Sequence, residues 1–447
     1  MLFKFSTYQN HYQSLTQLGL PIVVGQIGTI ILGFADTLMV GHHSTTELGA
    51  AAFVNNMFVI AIIFSLGFSY GLTPIVGALF GQGNHKEIGK MLKNSLFANM
   101  LVGCFILFLL CLLYWNLGNL GQPEELLPLM RPYFIVNLLS IPFLVCFNTF
   151  KQMSDGITDT KTPMWILLSG NLLNIIGNYL LIYGKLGFPE LGLYGAGLST
   201  MFSRIIMACA FLYIVFATKR FDTYRKAFLT ERLNKKDLLH LFRIGIPLSL
   251  QMGMEASAFS LSSVMVGWIG TLALAAHQVM LTISQFFYII YYGMASAIAV
   301  RVSYFTGQKH YGEAQKVAAA GFHLILLIAL CVSLPVIIFR NQLGGIFTDN
   351  QEVSLIVAQV ILPLIIYQFG DGMQCAYGNA MRGISYVKPL MYTAFLSYFI
   401  ICLPLGYLLG IQLKMGLLGI WFAFPFGLTT AGILYYCFFK KGIRQLR

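Results

Sequence analysis

Stretches of about twenty residues with almost no charge recur down this chain, and nothing else in it limits the possible folds so severely. Ala98–Tyr114, Leu167–Tyr183, Leu324–Phe339 and Tyr392–Leu413 are examples. A bilayer core roughly 30 Å thick is crossed by about 20 apolar residues as a helix, which pairs every backbone group within its own segment. Cutting the sequence at charged or turn-rich breaks yields about twelve such spans, near 16–41, 52–80, 93–114, 127–150, 163–184, 194–217, 240–268, 277–304, 317–339, 353–377, 388–410 and 416–439. Composition agrees: 10% of the 447 residues are charged, against roughly 25% in soluble domains. The skin is too apolar for water.

The net charge of +12 is distributed by loop rather than gathered into a nucleic-acid footprint. With twelve spans the loops alternate sides. Of the 28 Lys and Arg residues, Arg204 falls inside a span and four (Arg131, Lys185, Arg340, Lys414) fall on one side. The other 23 share the opposite side with both termini, so the positive-inside rule places both termini in the cytoplasm. Some of these bases can also touch anionic lipid headgroups. Met1 to Gln17 shows no cleavable signal pattern, and the first span is expected to act as its own insertion signal. The eight cysteines sit inside or at the ends of spans without a CxxC pair, so they read as small apolar residues.

An offset of 226 residues superimposes one half of the sequence on the other. It aligns Gly19-Leu-Pro21 with Gly245-Ile-Pro247, Met39-Val-Gly41 with Met265-Val-Gly267, and Gly81-Gln82 with Gly307-Gln308. Glu87 meets Glu313, Lys90 meets Lys316, and Pro163 meets Pro389. Six spans per half is an even number, so the halves enter the membrane the same way, as parallel repeats suited to rocking one against the other. The expectation is an all-α polytopic membrane protein: a six-helix lobe over 1–218, a basic linker over 219–243 and a second six-helix lobe over 244–447.

Thirteen of the sixteen acidic residues map to loops or span ends; Asp36, Glu255 and Asp371 do not. An ionised side chain at the membrane centre costs about 2.5–3.5 kcal/mol even on lenient scales. One reading is structural, with the three meeting water at span ends or pairing with Arg204. The other is that they bind what moves, because a carboxylate in low dielectric is readily neutralised by a proton, a sodium ion or an organic cation, each displacing the others. Glu255 and Asp371 share the second half and point to a common cation site there. Asp36 shares the first half with Asn171, Asn174 and Asn178, which lie on one helical face; these amides either line a site or join helices. Met254, Phe259, Tyr288 and Tyr367, near the second-half acids, have the soft and aromatic side chains that suit flat organic cations. His277 and Gln278 open the eighth span as a gate or an interfacial hydrogen bond, with Gln278 a further candidate substrate contact.

Taken together, these segments resemble the multidrug and toxic compound extrusion (MATE) transporters, in their NorM-like branch. The resemblance spans nearly the whole chain. It is carried by Gly19-Leu-Pro-Ile22, Phe34-Ala-Asp-Thr-Leu-Met-Val-Gly41, Gly81-Gln-Gly83, Asn174-Ile-Ile-Gly-Asn178 with Tyr183-Gly184, Met254-Glu255-Ala256, Ala276-His-Gln278 and Gly370-Asp371-Gly372. It implies a V-shaped pair of lobes in a bacterial inner membrane, alternating access, and export of small cationic amphipathic compounds in exchange for Na+ or H+. It also implies roles for Asp36, Glu255 and Asp371. Where the proton-coupled DinF-like branch carries an Asp in the fifth span this chain has Asn178, which leans toward a cation site in the second lobe, with Glu255 and Asp371 holding Na+ if sodium is the ion. No cofactor beyond the coupling ion is implied, and nothing calls for more than a monomer. The rival transport reading is a flippase for lipid-linked sugars, which would need a more cationic cavity. A membrane enzyme is disfavoured by the lack of HExxH, GxSxG and Walker motifs, and a channel by the two-lobe duplication.

Overall fold

The computed structural model describes residues 5–121 and 123–447, and every regular element among them is helical. The spans are α1 (Phe5–His43), α2 (Thr45–Gly81), α3 (His85–Trp115), α4 (Leu127–Gly156), α5 (Lys161–Ile182), α6 (Gly192–Ala217), α7 (Lys235–Gly267), α8 (Thr271–Gly307), α9 (Tyr311–Ile338), α10 (Gln351–Gly383), α11 (Lys388–Gln412) and α12 (Gly416–Leu446). All twelve expected spans are present, most running several residues past the apolar stretch into polar end turns. Eleven are apolar enough to cross a bilayer by hydropathy alone. The exception is α7, diluted by Gln251, Glu255 and five serines between 249 and 263. Short helices at Asp222–Thr230 and Arg340–Phe347 lie between spans.

Two helices depart from regularity. A turn at Tyr70–Gly71 interrupts α2. In α11 the backbone widens to π-helix over Phe395–Cys402 and again over Leu408–Gln412, and such bulges are frequent at functional positions.

The chain forms two compact units, and their boundaries differ from the expected 218/219 and 243/244. One unit runs to Val23 and resumes at Leu250; the other covers Val24–Ser249. The cuts fall inside α1 and α7, 226 residues apart, at the repeat offset itself. Each follows a helix-interior proline, Pro21 or Pro247, where the ring removes a backbone hydrogen bond.

Glycines explain how the opening stretches of α1 and α7 are seated. In the Val24–Ser249 unit, α7 lies so close to α2 that a Cβ on Gly67 would stand 2.6 Å from Ser249 Cα, and one on Gly245 would stand 2.6 Å from Phe68. In the other unit a Cβ on Gly293 of α8 would stand 2.3 Å from the Val23 side chain and 2.9 Å from its backbone nitrogen, and one on Gly19 would stand 2.7 Å from Met294. Residue for residue, this is the first arrangement moved by 226. Close approach of backbones at small residues is the main packing device where lipid gives no hydrophobic drive between helices.

Ion pairs at related positions tie the same two seats. Lys90 reaches Glu87 at 2.6 Å and Asp237 of α7 at 3.0 Å. Lys316 reaches Glu313 at 2.8 Å, and His11 of α1 stands 3.0 Å from Glu313. His11 and Asp237 are repeat mates, so one crossing helix offers a base where the other offers an acid.

Adding a methyl group at Gly67 or Gly293 should force the helices apart and cost about 1–3 kcal/mol. Gly67→Ala and Gly293→Ala are therefore expected to lower the melting midpoint in detergent. Gly253→Ala, whose Cβ meets nothing within 4 Å, should leave it unchanged or raise it slightly.

Candidate functional sites

Each unit holds a buried polar cluster around a membrane acid. In the Val24–Ser249 unit, Asp36 projects from α1 toward α5. Asn178 Nδ2 donates to Asp36 Oδ1 at 2.5 Å. Asn174 lies one turn earlier, and with its amide nitrogen facing the carboxylate it donates to the same oxygen at 3.0 Å while its oxygen accepts from Thr200 Oγ1 at 3.1 Å. Asn174 and Asn178 are wholly buried. The structure thus brings together the three residues that the sequence grouped. Asn171, on the same face, has a buried amide nitrogen with no partner. Arg204 does not pair with Asp36; its Nη1 donates to Ser140 Oγ at 2.6 Å. Among the described residues Asp36 makes no salt bridge within 4.0 Å, so two amides carry its charge.

In the other unit Glu255, on α7, is held from both sides. Gln251 Nε2, one turn back on α7, donates to Glu255 Oε2 at 3.1 Å, and Gln374 Nε2 of α10 lies 3.3 Å from Oε1. Gln374 in turn bonds the hydroxyl of Tyr398, a fully buried residue in the π-helical stretch of α11. These three holding residues were not anticipated. Gln251 was legible as the i−4 neighbour of Glu255, whereas Gln374 and Tyr398 come from distant segments.

Glu255 lines a cavity of about 40 Å³ together with Gln251, Tyr288, Gln374, Asn379 and Arg382. That volume exceeds what one water requires. Asp371 is not among the residues lining it. It lies three residues before Gln374 on α10 and is 1% exposed. Its Oδ1 has only the weak thiol donor of Cys375 at 3.8 Å, and its Oδ2 is buried with no partner. Nearby on α10, Gln368 is also fully buried with both amide atoms unsatisfied, as is the hydroxyl of Tyr291 on α8. Unsatisfied polar atoms of this kind are rare in protein interiors and call for an explanation.

The remaining candidates separate by environment. Tyr288 faces the Glu255 cavity. Tyr367 is buried with its hydroxyl 2.8 Å from Ser284 Oγ. Phe259 stacks on Phe424 with ring centroids 5.0 Å apart. Met254 is half-buried, and Gln278 is exposed. His277 is fully buried: Trp421 Nε1 donates to its Nδ1 at 3.1 Å, and its Nε2 is 3.0 Å from Ser263 Oγ. The indole has only a proton to give, so Nδ1 is bare, Nε2 carries the hydrogen, and the ring joins three helices. Arg382, assigned to a loop by the charge count, belongs to α10 and is 8% exposed.

No group of three or more His, Cys, Asp or Glu side chains able to hold a metal ion occurs among the described residues. Asp36 and Glu255 are instead held by side-chain amides, and Asp371 meets only a thiol.

The sequence matches the MatE family model twice, over residues 21–180 and 247–408, with starts 226 residues apart. It is 30% identical over 437 residues to the multidrug resistance protein NorM of Aliivibrio fischeri, covering 96% of this chain and 94% of that protein. It is 27% identical to the multidrug resistance protein NorM of Photobacterium profundum, covering 96% and 94%. Among solved structures, a MATE transporter in the straight conformation superimposes with a TM-score of 0.89 at 20% identity, covering 98% of this chain and 97% of that one. A point mutant of the Vibrio cholerae MATE transporter VcmN superimposes with a TM-score of 0.88 at 18% identity, covering 98% of each chain.

The His277 contacts are readily checked. Trp421→Phe leaves a buried ring nitrogen unpaired, at a cost of about 1–3 kcal/mol, and should lower the melting midpoint by several degrees. Ser263→Ala, which removes the partner of the other nitrogen, should do the same.

Proposed function

Because this chain belongs to the MatE family, we propose that it is an exporter of small amphipathic cations, driven by Na+ or H+ entry through alternating access. Glu255 and Asp371 are the coupling-ion carboxylates, and Asp36 with Asn174 and Asn178 forms a substrate or ion site in the other unit. The observation that carries this reading is that none of the three membrane acids is neutralised by a Lys or Arg salt bridge among the described residues, while Asp371 buries a carboxyl oxygen with no partner at all. An acid kept in that condition is costly as structure and useful as a binding group, because any cation that reaches it restores the missing charge balance.

The ligand chemistry supports exchange. Proton, sodium ion and organic cation all compete for the same carboxylates, so one entering from outside favours release of another. The positive-inside distribution of Lys and Arg supports an orientation with both termini in the cytoplasm of a bacterial inner membrane, so export runs from the terminal side to the opposite face. NorM relatives named for multidrug resistance support drug-like compounds as the cargo. The acidic interior speaks against pyrophosphate-linked lipids.

Efflux of a fluorescent cationic dye from proteoliposomes, under a sodium or, separately, a proton gradient, tests the reading. One gradient should drive efflux. Glu255→Gln and Asp371→Asn should each reduce it at least about tenfold, as expected when a charge-assisted contact of about 1.5–3 kcal/mol is lost. Dye that moves under neither gradient, or variants that transport normally, would sink the cation-exchange mechanism and make lipid-linked sugars the next substrate to try.

A further inference from the structure

We propose that Arg382 is an electrostatic brake on the coupling-ion site: its positive charge weakens cation binding at Glu255 while that site is open to the cytoplasm, so that the ion is released there more readily. The proposal rests on the exporter reading above. Its geometry is the Glu255 cavity itself, which Arg382 also lines. From Gln374, which holds the Glu255 carboxylate, to Arg382 is eight residues of α10, about 12 Å of helix. Asn379 lines the cavity between them. The helix ends at Gly383, on the side that the Lys and Arg distribution assigns to the cytoplasm.

Arg382 is therefore a buried, permanently charged group in the same small enclosure as the acid that takes the cation. Like charges sharing one poorly screened cavity repel. A fixed guanidinium lowers the affinity of Glu255 for a cation and so speeds its departure. Release into the cytoplasm, the step that completes a cycle of exchange, is then favoured even where that ion is abundant.

The test is sided. In proteoliposomes of uniform orientation, the driving ion is added at the cytoplasmic face and its inhibition of dye efflux is titrated. Arg382→Gln should be inhibited at a concentration on the order of tenfold lower than wild type, and Arg382→Lys should behave as wild type. Asn379→Asp, which adds a negative charge to the same cavity, should shift inhibition in the same direction should Arg382→Gln fold poorly. Active variants with wild-type cytoplasmic inhibition would overturn the brake and leave the exporter intact. Sodium binding to purified protein gives a readout without transport: tighter binding by Arg382→Gln supports the brake, and equal or absent binding in both proteins counts against it.

A separate observation carries a second inference. We propose that His11 makes the seat of α1 on α8 and α9 sensitive to cytoplasmic pH, whereas the repeat-related seat of α7 is permanently locked. The permanent lock is Asp237 with Lys90. At the other seat, His11 Nε2 meets Glu313 Oε2 at 3.0 Å, Glu313 also takes Lys316, and Phe305 of α8 stands edge-on to the imidazole. Arg301 of α8 lies over the Phe305 and Tyr304 rings, and His323 of α9 bonds the hydroxyl of Tyr12. As imidazolium, His11 forms an ion pair with Glu313; as imidazole, it forms only a hydrogen bond. His11 is buried and faces Arg301 and Lys316 as well as Glu313, so the cost of burying the imidazolium outweighs the ion pair, and the seat loses stability as pH falls. The stabilisation of wild type over His11→Gln, read as a difference in melting midpoint, should be about 2 °C smaller at pH near 5.5 than near 8.5, while the difference between wild type and Asp237→Asn should stay constant over that range. A His11 difference that does not change with pH would overturn the inference.

Discussion

Hydrocarbon cannot hydrogen-bond, and every other property of this protein follows from that. A chain that crosses a bilayer must satisfy its backbone internally, so every regular element among the described residues is a helix. Helices immersed in lipid gain little from burying apolar side chains against one another. They are held instead by close backbone approach at Gly19, Gly67, Gly245 and Gly293 and by a few hydrogen bonds such as those about His277. Against that background a carboxyl group is conspicuous. Asp36, Glu255 and Asp371 stand out because the medium makes them expensive, and an expensive group without a salt-bridge partner is poised to take one.

The duplication shows what such a fold conserves within itself. The cuts between compact units, the two glycine seats, the helix-interior prolines and the Glu–Lys pairs at the seats all repeat at an offset of 226. So does the left-handed turn after the second span of each half, at Gly83 and Lys309. Each repeated feature concerns packing. None of the site acids repeats: Asp36 aligns with Ser262, Glu255 with Thr29 and Asp371 with Val145.

Much of this was legible in the sequence because hydropathy and repetition are one-dimensional. Twelve spans, the repeat offset and the three acids need only counting. The grouping of Asp36 with Asn174 and Asn178 also came through, since helical spacing placed the amides on one face and only the acid had to arrive from elsewhere. The compact units divide inside α1 and α7 rather than at the basic linker, and an unbroken helix such as α1 gives no sign along its length of where its contacts change partner. Arg382 was misplaced for a related reason. A charge close to the end of an apolar run looks like a loop residue, whereas α10 continues through it and buries it. Gln374 and Tyr398 could not be seen at all: the hydrogen bonds that join them to Glu255 connect segments more than a hundred residues apart.

The contrast between conserved packing and divergent chemistry argues for how the halves divide their work. Two identical sites in a symmetric scaffold would each bind the same ion and each need emptying. Here one unit suspends Asp36 between two amides, with Arg204 nearby but bonded to Ser140 rather than to the acid. The other places Glu255 and Arg382 on a single cavity and leaves Asp371 beside it with an unpaired oxygen. In the first arrangement the base near the acid is engaged by Ser140. Under the proposed exchange, the second contains both a group that would attract the cation and a group that would weaken its hold. A cycle needs binding and release, and the unit containing Glu255 and Arg382 has the chemistry for both.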